Sequence, residues 1–333
     1  MLCGENNRAA RAMVAKEEVK MISPFFKNAL IYRLKKESVI TTEDYIQVLA
    51  GELEKLRFTP CTSRDFSTCG WVPPLGDLSD QLYHYANGQL LLTLRKEEKI
   101  LPKPVIADEL RKRVSKLESE QGRRLKKSEK DCIRDDVIYS LLPRAFTKNS
   151  TISIWINIPS SLVVVDTGSA SRAEYALAML RKTVGALPVV PLTMYSPISV
   201  TLTEWVKTGE LPTGFSLGEE AELKAILDHG GVGRFIKQDL VSDEIMTHIE
   251  AGKYVTQLSL GWQQRIKFKL TDSFSIKRIK FSYELLSQND DIESEDVAHR
   301  FDTDFVLMTG ELNNLISDLI NALGGEAISH SND

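Results

Sequence analysis

Residues 151–185 have the sequence TISIWINIPSSLVVVDTGSASRAEYALAMLRKTVG, in which two strand patterns precede a helix pattern. TISIWIN alternates polar and apolar residues, and SLVVVD is a short β-branched run, so both are typical of strands. SRAEYALAMLRKTVG has its apolar residues at helical spacing. We therefore predict two paired strands with a helix packed on them, which indicates an α+β fold built from mixed antiparallel sheets and packed helices.

Three further elements are predicted upstream of this stretch. They are a strand in MISPFFKNALIYRL, which opens at Met21, a helix capped by Thr41 or Thr42 that runs to about Leu56, and a tight hairpin at Asn87-Gly88. The first twenty residues are polar and only weakly periodic, so we interpret residues 1–20 as an extension.

Residues 104–146 are helical in pattern and heavily charged. Two apolar stripes predict two helices with Gly122 between them, and Ser128 with Asp131 resembles a capping box that opens the second helix. Between residues 111 and 130, nine basic residues stand against three acidic ones. We predict a charged helical subdomain here, whose basic excess either meets phosphate or is a solvated surface.

Downstream of residue 185 the sequence predicts an extended segment followed by three helices. The extended segment contains Pro188, Pro191 and Pro197, which disfavour helix at and just before their own positions. The predicted helices run from Ser216, with Glu219 in its first turn, to near His229, from about residue 242 to 251, and through the apolar stripe that includes Leu312 and Ile320.

A basic hairpin is predicted from QRIKFKL and SIKRIKFS, joined by a turn at residues 271–273. Period-two geometry places the apolar side chains on one face and the basic ones on the other. The apolar set is Ile266, Phe268 and Leu270, and the alternating basic set is Arg265, Lys267 and Lys269. Six basic residues and one acid lie in residues 262–281, whereas ten acids and one base lie in residues 282–318. This segregation indicates either a surface built for an anion or two solvated faces without a partner.

The composition is that of a globular protein. The chain has 333 residues, 42% of them hydrophobic, and a formal net charge of −4. A negative total argues against coating nucleic acid with the whole surface, so any such site must come from segregated charge. There is no apolar run of about 20 residues and no signal-peptide core, so we expect a cytoplasmic protein without a membrane partner.

Two acidic motifs have catalytic interpretations. Asp166-Thr167-Gly168 follows the apolar run LVVV, as the catalytic D-T-G motif of aspartic proteases does. The helix pattern that comes next favours a turn at a strand end instead. Asp302 and Asp304, with the acids of residues 290–295, have the chemistry to hold Mg²⁺ for phosphodiester cleavage, although a solvated acidic surface is the favoured interpretation.

Other cofactor signatures are missing from the sequence. The five histidines and four cysteines lack zinc-binding spacing, and there is neither a GxxxxGK[ST] phosphate loop nor a GxGxxG fingerprint. We therefore predict no enzyme activity, no catalytic residue, no metal and no cofactor. A metal-dependent nuclease that uses the C-terminal acids remains the alternative.

Several strings together resemble the recombination-associated protein RdgC family: GWVPPLG, RKEEKILP, SLLPRAF, LPVVPL, LTEWV, HIEAGK and MTGEL, between residues 70 and 312. The resemblance runs from about Met21 to Ala327, which leaves residues 1–20 outside a family unit over 21–333. It implies a subunit of a ring-shaped homodimer that encircles double-stranded DNA without sequence preference. It also implies a nucleoid-associated protein that limits the access of a RecA-type recombinase, whereas a regulator that acts by direct contact with the recombinase is a further alternative.

The resemblance also implies roles for particular residues. Phe146, in SLLPRAF, would lie where the subunits meet, although an ordinary core phenylalanine explains it equally well. Lys237 and Gln238 would face DNA, where lysine pairs with phosphate and glutamine offers a neutral hydrogen bond. With the basic hairpin, the predicted DNA-binding set is Lys237, Gln238, Arg265, Lys267, Lys269, Arg278 and Lys280.

Overall fold

One antiparallel sheet of twelve strands organises the protein in a computed structural model that describes residues 23–35, 43–225, 230–289 and 296–327. The strands are β1 (Ala29–Leu34), β2 (Ser67–Val72), β3 (Tyr83–Ala86), β4 (Gln89–Ile100), β5 (Phe146–Asn157), β6 (Leu162–Val165), β7 (Val189–Pro191), β8 (Phe215–Ala225), β9 (Val232–Ile236), β10 (Lys253–Trp262), β11 (Ile266–Thr271) and β12 (Ser275–Phe281). Their order is β2-β4-β5-β6-β1-β12-β11-β10-β8-β9, with β3 on β4 and β7 on β1.

Eight α-helices accompany this sheet in the described part of the chain. They are α1 (Glu43–Lys55), α2 (Lys103–Gln121), α3 (Lys127–Leu141), α4 (Ala170–Val184), α5 (Ile198–Thr208), α6 (Asp243–Glu250), the short α7 (Tyr283–Leu286) and α8 (Val297–Ala322). The predicted α+β class is confirmed, with one continuous sheet in place of several. None of these helices is both long and apolar enough to cross a membrane.

The stretch 151–185 folds as predicted. β5 and β6 pair antiparallel, with Ile154 opposite Val165, and α4 begins at Ala170. The hairpin at Asn87-Gly88 is confirmed as well: both residues have positive φ, 49° and 77°, which suits the two-residue turn between β3 and β4.

Alternation along the strands produces two hydrophobic cores, one on each face of the sheet. Leu91 of β4 belongs to the core that contains α5, α6 and α8, whereas its neighbour Leu92 belongs to the core that contains α1 and α4. The first core continues along β10, β11 and β12, but the second does not. Within the described residues, the opposite face of these three strands and of β8 is therefore left without a helix.

The prediction of a helix beginning at Ser216 is wrong, because the described part of that segment is strand β8. Ala221 and Leu223 are buried against Leu258 and Val255 of β10, and glutamates alternate with them on the other face. Pairing with a distant strand outweighs the helix propensity of Glu, Ala and Leu here. The predicted end near His229 lies outside the described residues, as do the caps at Thr41 and Thr42.

The start of the helical hairpin also differs from the prediction. Lys126, and not Ser128, is the N-cap of α3, and the carboxylate of Glu129 accepts the backbone N–H of Lys126 at 2.7 Å. The two helices are present, separated by Gly122 with a φ of 63°. Few of their side chains are buried.

Two further boundaries differ from the sequence interpretation. The first strand begins at Ala29, well after Met21, and a helix that was not predicted, α5, begins immediately after Pro197. Pro197 itself is the N-cap, a position where the missing N–H of proline costs little.

Candidate nucleic-acid interface

The β11–β12 hairpin separates apolar and basic side chains as its sequence predicts. Ile266, Phe268 and Leu270 are buried in the core that contains α8. Lys267 and Lys269 alternate with them and therefore project from the open face. This face is the candidate interface, and we call it the open basic face, defined by Lys237, Lys267, Lys269, Lys277, Arg278 and Lys280.

A β-bulge concentrates charge on this face. The register between β11 and β12 shifts between the pairs Lys267–Lys280 and Lys269–Lys277, and Arg278 has a φ of 53°. Like charges directly opposite each other destabilise a sheet, so each of these lysine pairs is stabilised by a negative charge nearby. Sequence reasoning missed Lys277, because strict alternation from Arg278 and Lys280 puts it on the other face.

The floor of the open basic face is made of small residues. Ser216 and Gly218 of β8 lie beside Gly261 and Ser259 of β10. A Cβ atom added to Gly218 would lie 2.6 Å from Ser259 Oγ, and one added to Gly261 would lie 2.6 Å from Ser216 Oγ. The result is a cavity of about 470 Å³, bordered by lysine side chains.

The structure brings most of the predicted DNA-binding residues to this cavity. Its lining includes Lys237, Lys267, Lys269, Arg278 and Lys280. Lys237 follows β9 directly with a φ of 58°, which turns the chain at the end of the strand. Gln238 is outside the lining, with its Nε2 atom 3.4 Å from Glu244 Oε2.

Arg265 departs from the predicted alternation. Its Nη1 atom lies 3.0 Å from Oε1 of Glu311 on α8, so the guanidinium reaches the helix-covered side of the sheet. Glu311 is buried, and the pair therefore anchors α8 to the turn between β10 and β11. Arg265 belongs to a strand pattern in the sequence but precedes the first paired residue of β11 in the structure.

A carboxylate lies among the bases. Glu220 of β8 forms an ion pair with Lys269, and Arg278 Nη1 is 3.9 Å from its Oε2 atom. The hydrogen bond from Lys269 lowers the pKa of Glu220 below its ordinary value, and the charges of Arg278 and Lys280 act in the same direction. Glu220 is therefore ionised at neutral pH. Because the sequence predicts a helix from Ser216, it does not predict this contact between β8 and β11.

Phe146 lies far from these bases along the sheet order, at the first residue of β5. Its side chain is 84% exposed, so it is not a core residue of the subunit. Other exposed apolar side chains come from the same region, including Phe66 and Tyr139, whose ring centroids are 6.0 Å apart. Ile100, the cross-strand partner of Phe146, is exposed as well. Such a concentration of exposed apolar residues is typical of an interaction surface.

The motifs with catalytic interpretations occupy structural positions. Asp166 Oδ1 accepts the backbone N–H groups of Lys27 and Asn28 at 3.1 and 2.8 Å, and burial raises the pKa of this carboxyl. Asp302 Oδ1 lies 3.1 Å from His84 Nε2, whereas Asp304 accepts a hydrogen bond from Asn289. The two aspartates thus have separate partners. Over the described ranges, which omit residues 290–295, no cluster of three metal-ligating side chains occurs.

Comparison with known proteins assigns this arrangement to a family. A family model described as "Putative exonuclease, RdgC" matches residues 24–326. The chain belongs to the RdgC family. Curated relatives named Recombination-associated protein RdgC, from Salmonella paratyphi B, Salmonella typhimurium and Salmonella newport, are each 55% identical over 303 residues. These alignments cover 91% of this chain and 99% of each relative, so the described sheet and both regions of interest lie within the RdgC family match.

Proposed function

We propose that this protein binds double-stranded DNA without sequence preference and encircles it as a homodimeric ring, which limits the access of a RecA-type recombinase. The observation that carries the proposal is the open basic face, five of whose six bases line one cavity on a part of the sheet that no helix of the described residues covers. Lysine and arginine contacts to phosphate give affinity without reading bases. The cytoplasmic, nucleoid-associated location expected from the sequence follows from this function.

The dimer is supported by the region around Phe146. A protein that must close around DNA needs a contact surface away from the DNA-binding face, and the exposed aromatic residues provide one. The name of the relatives, Recombination-associated protein RdgC, supports a role in recombination, and occupation of duplex DNA would obstruct a recombinase without any direct contact.

The salt dependence of duplex binding tests the proposal. Six to ten phosphate contacts imply that affinity falls by roughly 10³ to 10⁵ between 50 and 200 mM salt. Fluorescence anisotropy with labelled duplexes of unrelated sequence should give similar Kd values at each salt concentration. A flat salt response, or a strong preference for one sequence, would contradict it.

A nuclease is the second candidate, because the description of the family model names an exonuclease. Asp302 and Asp304 have different partners, and the other acids of the candidate metal site, in residues 290–295, lie outside the described residues. Incubation with linear and circular DNA and Mg²⁺ separates the two functions. Cleavage that a chelator abolishes, and that Asp302→Asn removes, would establish the nuclease.

A further inference from the structure

Glu220 occupies an unusual position in the open basic face. It lines the cavity of about 470 Å³ and also a neighbouring one of about 420 Å³, so its carboxylate lies on the boundary between them. Four of the bases that surround the two cavities, Lys267, Lys269, Arg278 and Lys280, come from β11 and β12. Glu220 comes from β8, on the other side of β10.

The Lys269 side chain must cross β10 to reach this carboxylate. Ser259 is the residue of β10 directly opposite Lys269, and its short side chain leaves the path free. The Lys269 side chain is only 14% exposed and Glu220 is 33% exposed, so the pair lies flat against the sheet. Arg278, which is mostly exposed, approaches the same carboxylate oxygen.

A lysine in an ion pair cannot offer its full charge to a phosphate group. Either the phosphate displaces the carboxylate, or the carboxylate remains and repels the phosphate. In both cases DNA loses part of the interaction that the bases would otherwise provide, because like charges a few ångströms apart repel. The geometry thus contains a competitor for the ligand.

We propose that Glu220 is an internal competitor for DNA phosphate, which occupies Lys269 and Arg278 in the free protein and sets the affinity of the open basic face. This inference rests on the proposed function. Weaker phosphate contacts are compatible with a ring that encloses DNA. Enclosure retains the DNA, and weak contacts let the protein move along it.

Replacement of the carboxylate tests the proposal. Glu220→Gln should bind duplex DNA roughly three- to tenfold more tightly at fixed salt, with the slope of log K against log salt steeper by about one. Glu204→Gln is the matched control. It removes the same charge from an exposed position on α5, a helix that packs on the side of the sheet opposite to the open basic face. Glutamine has nearly the same shape as glutamate and its amide oxygen can still accept a hydrogen bond from Lys269, so the variant should fold. Glu220→Asp, whose shorter side chain weakens the contact, should give an intermediate gain.

A double-mutant cycle separates competition from a general charge effect. In a Lys269→Gln background the gain from Glu220→Gln should shrink, because one of the bases it releases is absent. An equal gain in both backgrounds, an equal gain from Glu204→Gln, or an unchanged salt slope would each overturn the inference while the proposed function stands. A parent protein that shows no salt-dependent duplex binding would overturn both.

Discussion

Strands β6 and β11 lie three places apart in one sheet, and their sequences differ in a way that reports their surroundings. All four residues of β6 are buried, two in each core, and none is charged. In β11 the apolar residues are buried on one side only, and lysines fill the alternate positions. A continuous apolar run thus indicates a strand covered on both faces, whereas alternation with bases indicates a strand with one face open to solvent.

The largest expected effect is on stability, when an apolar residue of β6 is replaced by lysine and a lysine of β11 by an apolar residue. Val164→Lys places a charge in a fully buried position of β6 without a counter-ion, so the free energy of unfolding should fall by at least about 4 kcal/mol. Lys267→Val on β11 should change it by no more than about 0.5 kcal/mol, because Lys267 is exposed. Urea unfolding of both variants measures the contrast. Similar losses would mean that the two strands have similar surroundings.

Charge reversal on the open basic face should weaken DNA binding without loss of stability. Lys267 and Lys280 face each other, so Lys267→Glu with Lys280→Glu replaces one repulsive pair by another. Loss of two phosphate contacts should lower the salt slope by about two and reduce affinity by about 10- to 100-fold. Lys182→Glu with Lys207→Glu carries the same charge change on α4 and α5 and should bind nearly normally in anisotropy titrations. A collapse of thermal stability in the first variant alone would show that its lysines do not face solvent.

Phe146→Ala should affect association of subunits more than their folding. Truncation of an aromatic hot spot costs about 2 kcal/mol or more, which shifts a dimer constant by at least about tenfold. Sedimentation equilibrium gives the constant, and thermal melting at high protein concentration gives stability. Tyr195→Ala, which removes an aromatic side chain that is 82% exposed, is the control and should dimerise normally. A variant of Phe146 that dimerises like the parent would remove Phe146 from the interface.

The smallest expected effect is on the pH dependence of stability. It concerns Asp166 and Glu220, two carboxylates whose pKa values are shifted in opposite directions. Burial raises the pKa of Asp166, so its protonated form favours the folded state, and that contribution is lost as pH rises through the folded pKa. Lys269 lowers the pKa of Glu220, so its contribution is present above the unfolded pKa and lost as pH falls through the folded pKa. Relative to the parent, Asp166→Asn should therefore gain stability as pH rises from about 3 to 7, whereas Glu220→Gln should lose it. Melting curves across that range would contradict this if both variants followed the parent.

Local patterns in the sequence predicted the β11–β12 hairpin, which carries most bases of the open basic face, but not the strands β8, β9 and β10 beside it. The β5–β6 pair, α4 and the basic hairpin were predicted because each has a clear period and closes within a short stretch of chain. β8 was not, since GEEAELKA has helix-forming residues and becomes a strand only beside β10.

The contacts of the site itself were less predictable. The pair between Glu220 and Lys269 joins residues 49 positions apart and depends on the order of three strands. Arg265 illustrates the same limit, because its partner Glu311 lies on a helix that the strand pattern does not include. Sequence reasoning thus placed the bases on a face but did not identify the acids that accompany them.

The unbroken ladder from β2 to β9 has a mechanical consequence. Its narrowest point is the junction of β1 with β12, which has two residue pairs, so a load on the sheet should be carried there mainly by the packed side chains of the core that contains α8.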